Sequence, residues 1–183
     1  VRSISLRGNK VLSDSRLLKE IGLRQGDYLD TFVARSGAER LQELYMEKGF
    51  PFSTVELDEE RLVAGQVIYN IKEGPRTKVK SVKFEGNRAL TDKQLKKAVK
   101  TRPRKVLVFP VYFDAQQVEK DVASLREVYR KWAFLDVKVD AEVDFVRGNK
   151  AAEVTFEIEE GPRYTVDSIA VRGNTSIQDS VLL

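Results

Sequence analysis

One nine-residue pattern occurs three times in this chain of 183 residues, and it constrains the fold more than any other feature. The pattern is Val-x-Ser-(Ile/Val)-x-(apolar)-x-Gly-Asn, and its copies begin at Val1, Val79 and Val166. Alternating apolar and polar residues predict a half-buried β-strand, and Gly-Asn predicts a tight turn because both residues tolerate a positive φ. Three copies in the same order predict a repeat protein.

The spacing of the copies predicts small domains in tandem. The Gly-Asn pairs begin at Gly8, Gly86 and Gly173, which are 78 (86 − 8) and 87 (173 − 86) residues apart. Each interval is long enough for one modest core, whereas the residues after the last pair are too few for another. We therefore expect a fragment of a longer protein with one domain at 1–76, a second at 77–163 and the truncated start of a third at 164–183.

The composition argues against most catalytic chemistry. The chain has no cysteine and no histidine, which removes thiol chemistry, the usual zinc ligands and the usual proton shuttle at neutral pH. No glycine-rich phosphate loop is present, and no run of apolar residues approaches the roughly 20 residues of a membrane-spanning helix. We predict no catalytic residue, no metal site and no cofactor. The net charge of +4 does not require a nucleic-acid partner.

Two helices and two strands are predicted after each of the first two motifs. Ser13 and Thr91 are placed to cap a short helix, and Asp30 and Asp114 to cap a longer one. The longer helix of the second repeat carries an apolar stripe, which we expect to lie in the core, and two alternating strands follow it. The stripe is Val118, Val122, Leu125, Tyr129 and Trp132. Each repeat is thus an α+β unit of the order β-α-α-β-β.

These motifs resemble those of a known family. Tyr45-x-x-x-Gly49-Phe50 closes the second helix, and Glu-Gly-Pro follows the last strand at Glu73 and at Glu160. Together with Gly-Asn after the first strand, they resemble POTRA domains, the soluble arm of the Omp85 superfamily of outer-membrane assembly proteins. The second repeat departs from the pattern because Ala133 replaces the glycine, so we expect either a changed helix end or backbone strain there.

The resemblance implies a fold and a role. The fold would be a three-stranded sheet, with the third strand in the middle, covered on one face by two helices. The arm would lie in the periplasm ahead of a C-terminal β-barrel. Its partners would be unfolded outer-membrane proteins and accessory assembly subunits, bound partly by strand addition to an exposed sheet edge, with no catalysis and no nucleic acid.

We expect the exposed edge strands to bind unfolded client proteins as extended peptides. An edge strand presents unpaired N–H and C=O groups, and an extended peptide can bond to them with little dependence on its own sequence. The charges beside them could instead serve to keep the edges unpaired. The two predicted edges span residues 52–57 and 135–143. Their candidate residues are Phe52, Thr54, Val55, Leu57, Leu135, Val137, Val139, Ala141 and Val143.

Three further segments are candidates for function. The apolar run of residues 106–113 must be buried against its own core, a partner or the neighbouring domain, and Val106, Leu107, Val108 and Phe109 form the possible partner loop. Gly74-Pro75 and Gly161-Pro162 are the expected interdomain hinges. Residues 166–172 could form a strand along the sheet edge of a neighbouring molecule.

Two alternatives stay open for the function. Within the family, the arm could belong to a two-partner secretion transporter or to an autotransporter-assembly factor. Outside it, an α+β module could bind RNA, although the aromatic signature and the Gly-x-x-Gly clamp of common RNA-binding folds are absent.

The substitution Phe109→Asp separates the two environments expected for the apolar run. We expect this variant to bind a partner more weakly while its melting temperature stays nearly unchanged. A collapse of the melting temperature would place Phe109 in the core. Thermal unfolding and partner binding of the same variant give the answer.

Overall fold

The computed structural model describes residues 1–103 and 111–169, and they form two units of similar construction. Unit one has three strands and three helices. They are β1 (Ser3–Arg7), α1 (Asp14–Ile21), α2 (Thr31–Glu47), β2 (Thr54–Leu57), α3 (Glu59–Val63) and β3 (Gln66–Lys72).

In its described residues, unit two has the predicted order β-α-α-β-β. Its elements are β4 (Lys78–Glu85), α4 (Asp92–Ala98), α5 (Ala115–Lys131), β5 (Lys138–Val146) and β6 (Ala151–Glu159). Ser13 and Thr91 occupy the N-cap positions of the short helices, but the Ser13 side chain makes no cap hydrogen bond. At the long helices, the Asp30 and Asp114 carboxylates accept the N–H groups of Val33 and Gln117, as predicted.

Each unit contains one three-stranded mixed sheet. The strand order is β1-β3-β2 in unit one and β4-β6-β5 in unit two, so the last strand lies in the middle of each sheet, as the resemblance implied. The middle strand runs parallel to the first strand and antiparallel to the second. The outer sides of β2 and β5 are therefore sheet edges.

Two separate cores lie between the helices and the sheets. Tyr45 and Tyr69 are fully buried in the core of unit one, and Tyr129 and Phe156 are fully buried in that of unit two. Two buried clusters, each built from one repeat, match the predicted duplication.

One turn of helix between β2 and β3 was not expected from the sequence. Asp58 caps α3 by accepting the N–H of Arg61 at 3.1 Å, and two acidic residues occupy the first turn. Leu62 is buried at 3% exposure, so the turn covers the core of unit one. This helix ends β2 after four residues, whereas β5 continues for nine.

Trp132 corrects the expectation that the whole apolar stripe lies in the core. The helix α5 ends at Lys131, so Trp132 leaves the helical register and is 48% exposed. Ala133 follows with φ = 64°, the same left-handed conformation that Gly49 adopts at φ = 88°. The alanine therefore keeps the helix end and bears the strain.

The recurring motifs meet at one junction in each unit. In unit two, Oε1 of Glu160 accepts the backbone N–H groups of Arg88 and Ala89, both at 2.8 Å, and the hydroxyl of Tyr129 at 3.0 Å. In unit one, Glu73 accepts the corresponding three bonds, from the N–H groups of residues 10 and 11 and from the Tyr45 hydroxyl. The end of the middle strand is thus tied to the long helix and to the turn after the first strand.

The glycine of Gly-Asn has no substitute at this junction. A Cβ on Gly86, at φ = 84°, would lie 2.0 Å from the carbonyl oxygen of Ile158, and one on Gly8 would lie 2.1 Å from that of Ile71. Both the conformation and the space therefore exclude a side chain.

We expect Gly86→Ala to lower the free energy of unfolding by about 3 kcal/mol or more, because backbone strain and a clash with backbone add together. Gly148→Ala is the matched control in the same unit, since Gly148 has φ = 63° and nothing within 4 Å of its Cβ position. That control should lose only about 1 kcal/mol. Urea unfolding of the two variants measures the difference, and equal losses would contradict this account.

Candidate functional site

The two predicted edge segments become strands later than the sequence suggested. The strand β2 begins at Thr54, so Phe52 lies before it, and β5 begins at Lys138, so Leu135 and Val137 lie before it. Val137 is buried and Leu135 is 54% exposed. The edges proper are therefore residues 54–57 in unit one and 138–146 in unit two.

The edge in unit one is short. Thr54 is exposed, Val55 is buried at 8% exposure and Leu57 is half-buried. The next residue, Asp58, donates its N–H to the carbonyl of Ile68 at 2.9 Å and starts α3. Only four residues are left for an added strand to pair with.

The edge in unit two is longer, and its burial alternates over residues 138–144. Val139 is fully buried, Ala141 and Val143 are half-buried, and the residues between them are exposed. The exposed set is Lys138, Asp140, Glu142 and Asp144. The apolar side chains face the helices and the charged ones face solvent, as expected for a sheet with one covered face.

A single arginine shows which backbone groups of β5 point outward. Arg126 of α5 donates to the carbonyl of Val139 and also lies 3.6 Å from the carboxylate of Asp140. Because N–H and C=O of one strand residue point to the same side and alternate along the strand, the outward groups belong to Val139, Ala141, Val143 and Phe145. Arg126 occupies the first of these positions and leaves the later ones open.

A groove of ≈ 430 Å³ runs beside this edge, between α5 and β5. Its floor includes Val118, Val122, Ala141 and Val143. Arg126 and Asp140 stand at its rim. The groove can therefore receive apolar side chains from a chain that pairs with β5.

The far end of β5 packs against unit one. The ring centroid of Phe145 lies 4.7 Å from that of Phe52 and 5.3 Å from that of Phe113, and both pairs pack edge to face. Phe52, a predicted edge residue, is thus part of the contact between the units, where it closes one end of the β5 edge.

The model of the POTRA family, described as surface antigen variable number repeat, matches residues 1–74 and 77–161. The chain belongs to the POTRA family. It contains two consecutive POTRA domains, which correspond to unit one and unit two.

Named relatives are outer-membrane assembly factors. A Treponema pallidum (strain Nichols) protein, whose name assigns it provisionally as an outer membrane protein assembly factor, is 26% identical over 180 residues, 95% of this chain and 21% of that protein. Outer membrane protein assembly factor BamA of Neorickettsia risticii (strain Illinois) is 22% identical over 190 residues, 98% of this chain and 25% of that protein. The chain therefore spans a quarter or less of the length of these relatives.

Solved structures show the same fold. The crystal structure of Haemophilus influenzae BamA POTRA3-5 superposes with a TM-score of 0.57 at 20% identity and covers 100% of this chain and 74% of that one. BamA from Haemophilus ducreyi lacking POTRA domains 1-3 also gives a TM-score of 0.57, at 15% identity, over 84% of this chain and 27% of that one.

The first predicted hinge lies next to a packed joint between the POTRA domains. Gly74 has φ = 66°, and Pro75 follows it. The guanidinium of Arg76 then lies 5.5 Å from the ring centroid of Phe50 and 3.4 Å from that of Tyr112, and its Nε donates to the carbonyl of Lys48 at 2.9 Å. The role of this arginine could not be predicted from the sequence, because the contact joins segments far apart in the chain.

Two backbone bonds reinforce the joint. Thr77 donates its N–H to the carbonyl of Gly49 at 2.8 Å and accepts the N–H of Phe113 at 2.9 Å. A Cβ on Gly49 would lie 2.4 Å from the Cβ of Tyr112, so this glycine allows the domains to approach closely.

The second predicted hinge repeats part of this geometry. Gly161 has φ = 69°, Pro162 follows, and Tyr164 donates its N–H to the carbonyl of Ala133 at 2.7 Å, as Thr77 does to that of Gly49. Residues 164–169 form no strand and are exposed. The predicted strand at residues 166–172 lies partly outside the described residues.

The possible partner loop, Val106, Leu107, Val108 and Phe109, lies outside the described residues. The described residues of the apolar run point in two directions. Val111 and Phe113 pack against the core of the second domain, while Tyr112 contacts Arg76 of the joint. Val79 also donates its N–H to the carbonyl of Val111 at 3.0 Å, so residues 111–113 cover part of the outer side of β4.

Metal and membrane sites are not found in residues 1–103 and 111–169. No group of three acidic side chains there could hold a metal ion. None of the helices in those ranges has the length and apolar character to cross a membrane.

We expect Arg76→Ala to loosen the joint, because it removes two cation–π contacts and one hydrogen bond, worth about 2–3 kcal/mol together. Nuclear spin relaxation of backbone amides should report one rotational correlation time for both domains in the parent chain and two different ones in the variant. Arg163→Ala is the control, because Arg163 is the exposed counterpart after the second domain. A single correlation time in the double variant Arg76→Ala/Phe145→Ser would contradict a joint held by these side chains.

Proposed function

We propose that this tandem pair is a non-catalytic periplasmic arm of an outer-membrane protein assembly factor. It binds unfolded β-barrel proteins by adding one of their segments to the outer edge of β5. The single observation that carries the proposal is the edge of the nine-residue strand β5, open at Ala141 and Val143 beside an apolar groove. Membership in the POTRA family and the names of the relatives support the setting.

Backbone pairing suits clients that differ in sequence. The outward N–H and C=O groups of Ala141 and Val143 offer the bonds that any extended chain can satisfy. Edge pairing therefore supplies affinity without a sequence requirement.

The groove supplies selectivity for β-barrel segments. A transmembrane β-strand alternates apolar and polar residues, so an added strand of this kind presents every second side chain to one face of the sheet. Those apolar side chains would lie over Val118 and Val122, next to Ala141 and Val143. A uniformly polar peptide would pair with the edge but leave the groove exposed.

The charges on the exposed side of β5 limit unproductive pairing. Asp140, Glu142 and Asp144 form an acidic row on the face of the sheet away from the helices. Two copies of this edge brought together would place like charges opposite each other. The edge is therefore protected against self-association while it remains open to a client.

The other partners follow from the setting of such an arm. In the complete protein we expect a C-terminal β-barrel, to which the arm delivers clients, and accessory assembly subunits that bind the same domains. The arm would then lie in the periplasm. The long edge of the second domain makes that domain the principal client site.

We expect Ala141→Pro to weaken client binding about tenfold, because proline removes an outward N–H and obstructs the added strand, while the bonds to β6 involve the other residues of β5. The probe is a fluorescent synthetic peptide with the alternating pattern of a transmembrane β-strand. Fluorescence anisotropy gives the dissociation constant.

Ala141→Ser is the matched control, since it keeps the N–H and a small side chain and should bind within about twofold of the parent chain. Urea unfolding of both variants verifies that each is folded. Equal affinities of the proline and serine variants would refute binding at this edge. Binding of single-stranded RNA but not of the peptide would favour the RNA-binding alternative.

A further inference from the structure

Cations from two separate segments meet at one end of the second sheet. Lys78 and Lys80 belong to the start of β4, whereas Arg147 and Lys150 belong to the turn between β5 and β6. All four line one cleft of ≈ 510 Å³, which we call the basic cleft.

Backbone bonds hold the two segments together. Lys78 donates its N–H to the carbonyl of Lys150 at 3.0 Å, and the hydroxyl of Thr77 donates to the carbonyl of Asn149 at 2.6 Å. Thr77 is fully buried, so this attachment is sheltered from water. The backbone that carries the cations is therefore in place before any ligand arrives, which reduces the entropy lost on binding.

The cations of the cleft exceed the anions near them. Among residues 1–103 and 111–169, neither Lys78 nor Arg147 nor Lys150 forms an ion pair. Lys80 pairs with Glu153, and this hydrogen bond, followed by the charges of nearby cations, lowers the pKa of Glu153. Glu153 is thus ionised at neutral pH and neutralises one cation, which leaves three.

The remaining lining of the cleft carries no carboxylate. Pro75, Val79 and Ala151 form an apolar floor, and the aliphatic part of Arg76 completes the wall, since its guanidinium is held in the joint. Like charges brought together over an apolar floor repel one another, and an anion that binds between them removes this repulsion.

We propose that the basic cleft binds a phosphate group, carried by a lipid headgroup or by a soluble phosphate ester. Arg147 can offer two parallel N–H donors to phosphate oxygens, and Lys78 and Lys150 add compact positive charges. This site is separate from the β5 edge and does not depend on the proposed client binding.

The first domain connects its second and third strands differently. Its connection, residues 58–65, contains α3, whereas that of the second domain is the four-residue turn 147–150. Arg2 is the counterpart of Lys80. The side chain of Arg2 lies beside Gly65, where a Cβ would be 3.4 Å from its Cγ. The longer strand β5 thus carries Arg147 and Lys150 to the start of β4, whereas Arg2 is the cation beside the corresponding connection of the first domain.

The test compares a double variant of the cleft with a control of equal charge. Arg147→Asn/Lys150→Gln removes two cleft cations, and asparagine tolerates the left-handed conformation that Arg147 adopts at φ = 55°. Lys93→Gln/Lys97→Gln removes two exposed cations of α4, which do not line the cleft. One arm measures sedimentation with vesicles of phosphatidylglycerol and phosphatidylcholine, against phosphatidylcholine alone. The other follows amide chemical shifts during titration with inorganic pyrophosphate.

We expect the cleft variant to lose about 30-fold in affinity for the anionic vesicles, and the control to stay within about twofold. Binding to vesicles would identify a lipid headgroup as the source of the phosphate. Pyrophosphate shifts confined to residues 77–80 and 147–151, without vesicle binding, would identify a soluble phosphate ester.

Three results would overturn the proposal. The first is that the parent chain neither binds the anionic vesicles nor shows chemical-shift changes with pyrophosphate. The second is that the cleft and control variants lose equal affinity, which would mean that binding depends only on overall charge. The third is retention of single-stranded RNA that depends on Arg147 and Lys150 while vesicles and pyrophosphate stay inert.

Discussion

The carboxylate at the end of each middle strand is the interaction on which both domains depend. One oxygen of Glu160 accepts two backbone N–H groups of the turn after β4 and the hydroxyl of Tyr129. Burial, and secondarily the bond to Glu160, raises the pKa of that hydroxyl, so it remains a donor at neutral pH. Because Glu73 and Tyr45 repeat the arrangement, Gly-Asn, Tyr and Glu-Gly-Pro recur together: they are the parts of one junction.

Much of the fold could be predicted because its determinants are local. Thr91 with Gln94, Asp30 and Asp114 mark helix starts through bonds to residues three positions away, and strand alternation marks the buried face. The helix α3 was not predicted, because a single turn of helix is too short for apolar periodicity to mark it. Trp132 was wrongly assigned to the core because the apolar stripe was extended one residue past the end of α5. The helical period does not predict burial for residues outside the helix.

The candidate site was predictable in kind but not in extent. Alternation in β5 identified Val139, Ala141 and Val143 as residues of an edge strand. It could not show that Arg126 reaches the Val139 carbonyl or that Phe52 packs against Phe145, because both contacts depend on how distant segments are brought together. The same holds for the basic cleft, whose cations come from the two ends of the second domain.

The two unforeseen contacts set the length of chain that β5 can hold. Arg126 occupies the edge at Val139 and Phe52 closes it at Phe145, and these residues are about 20 Å apart along a strand. Between them Ala141 and Val143 provide outward groups for only a few backbone bonds, each worth about 1 kcal/mol net. A client segment bound as proposed would therefore be held loosely enough to leave again. The packed joint keeps Phe52 at this position, so the orientation of the first domain determines how much of the second domain's edge is open.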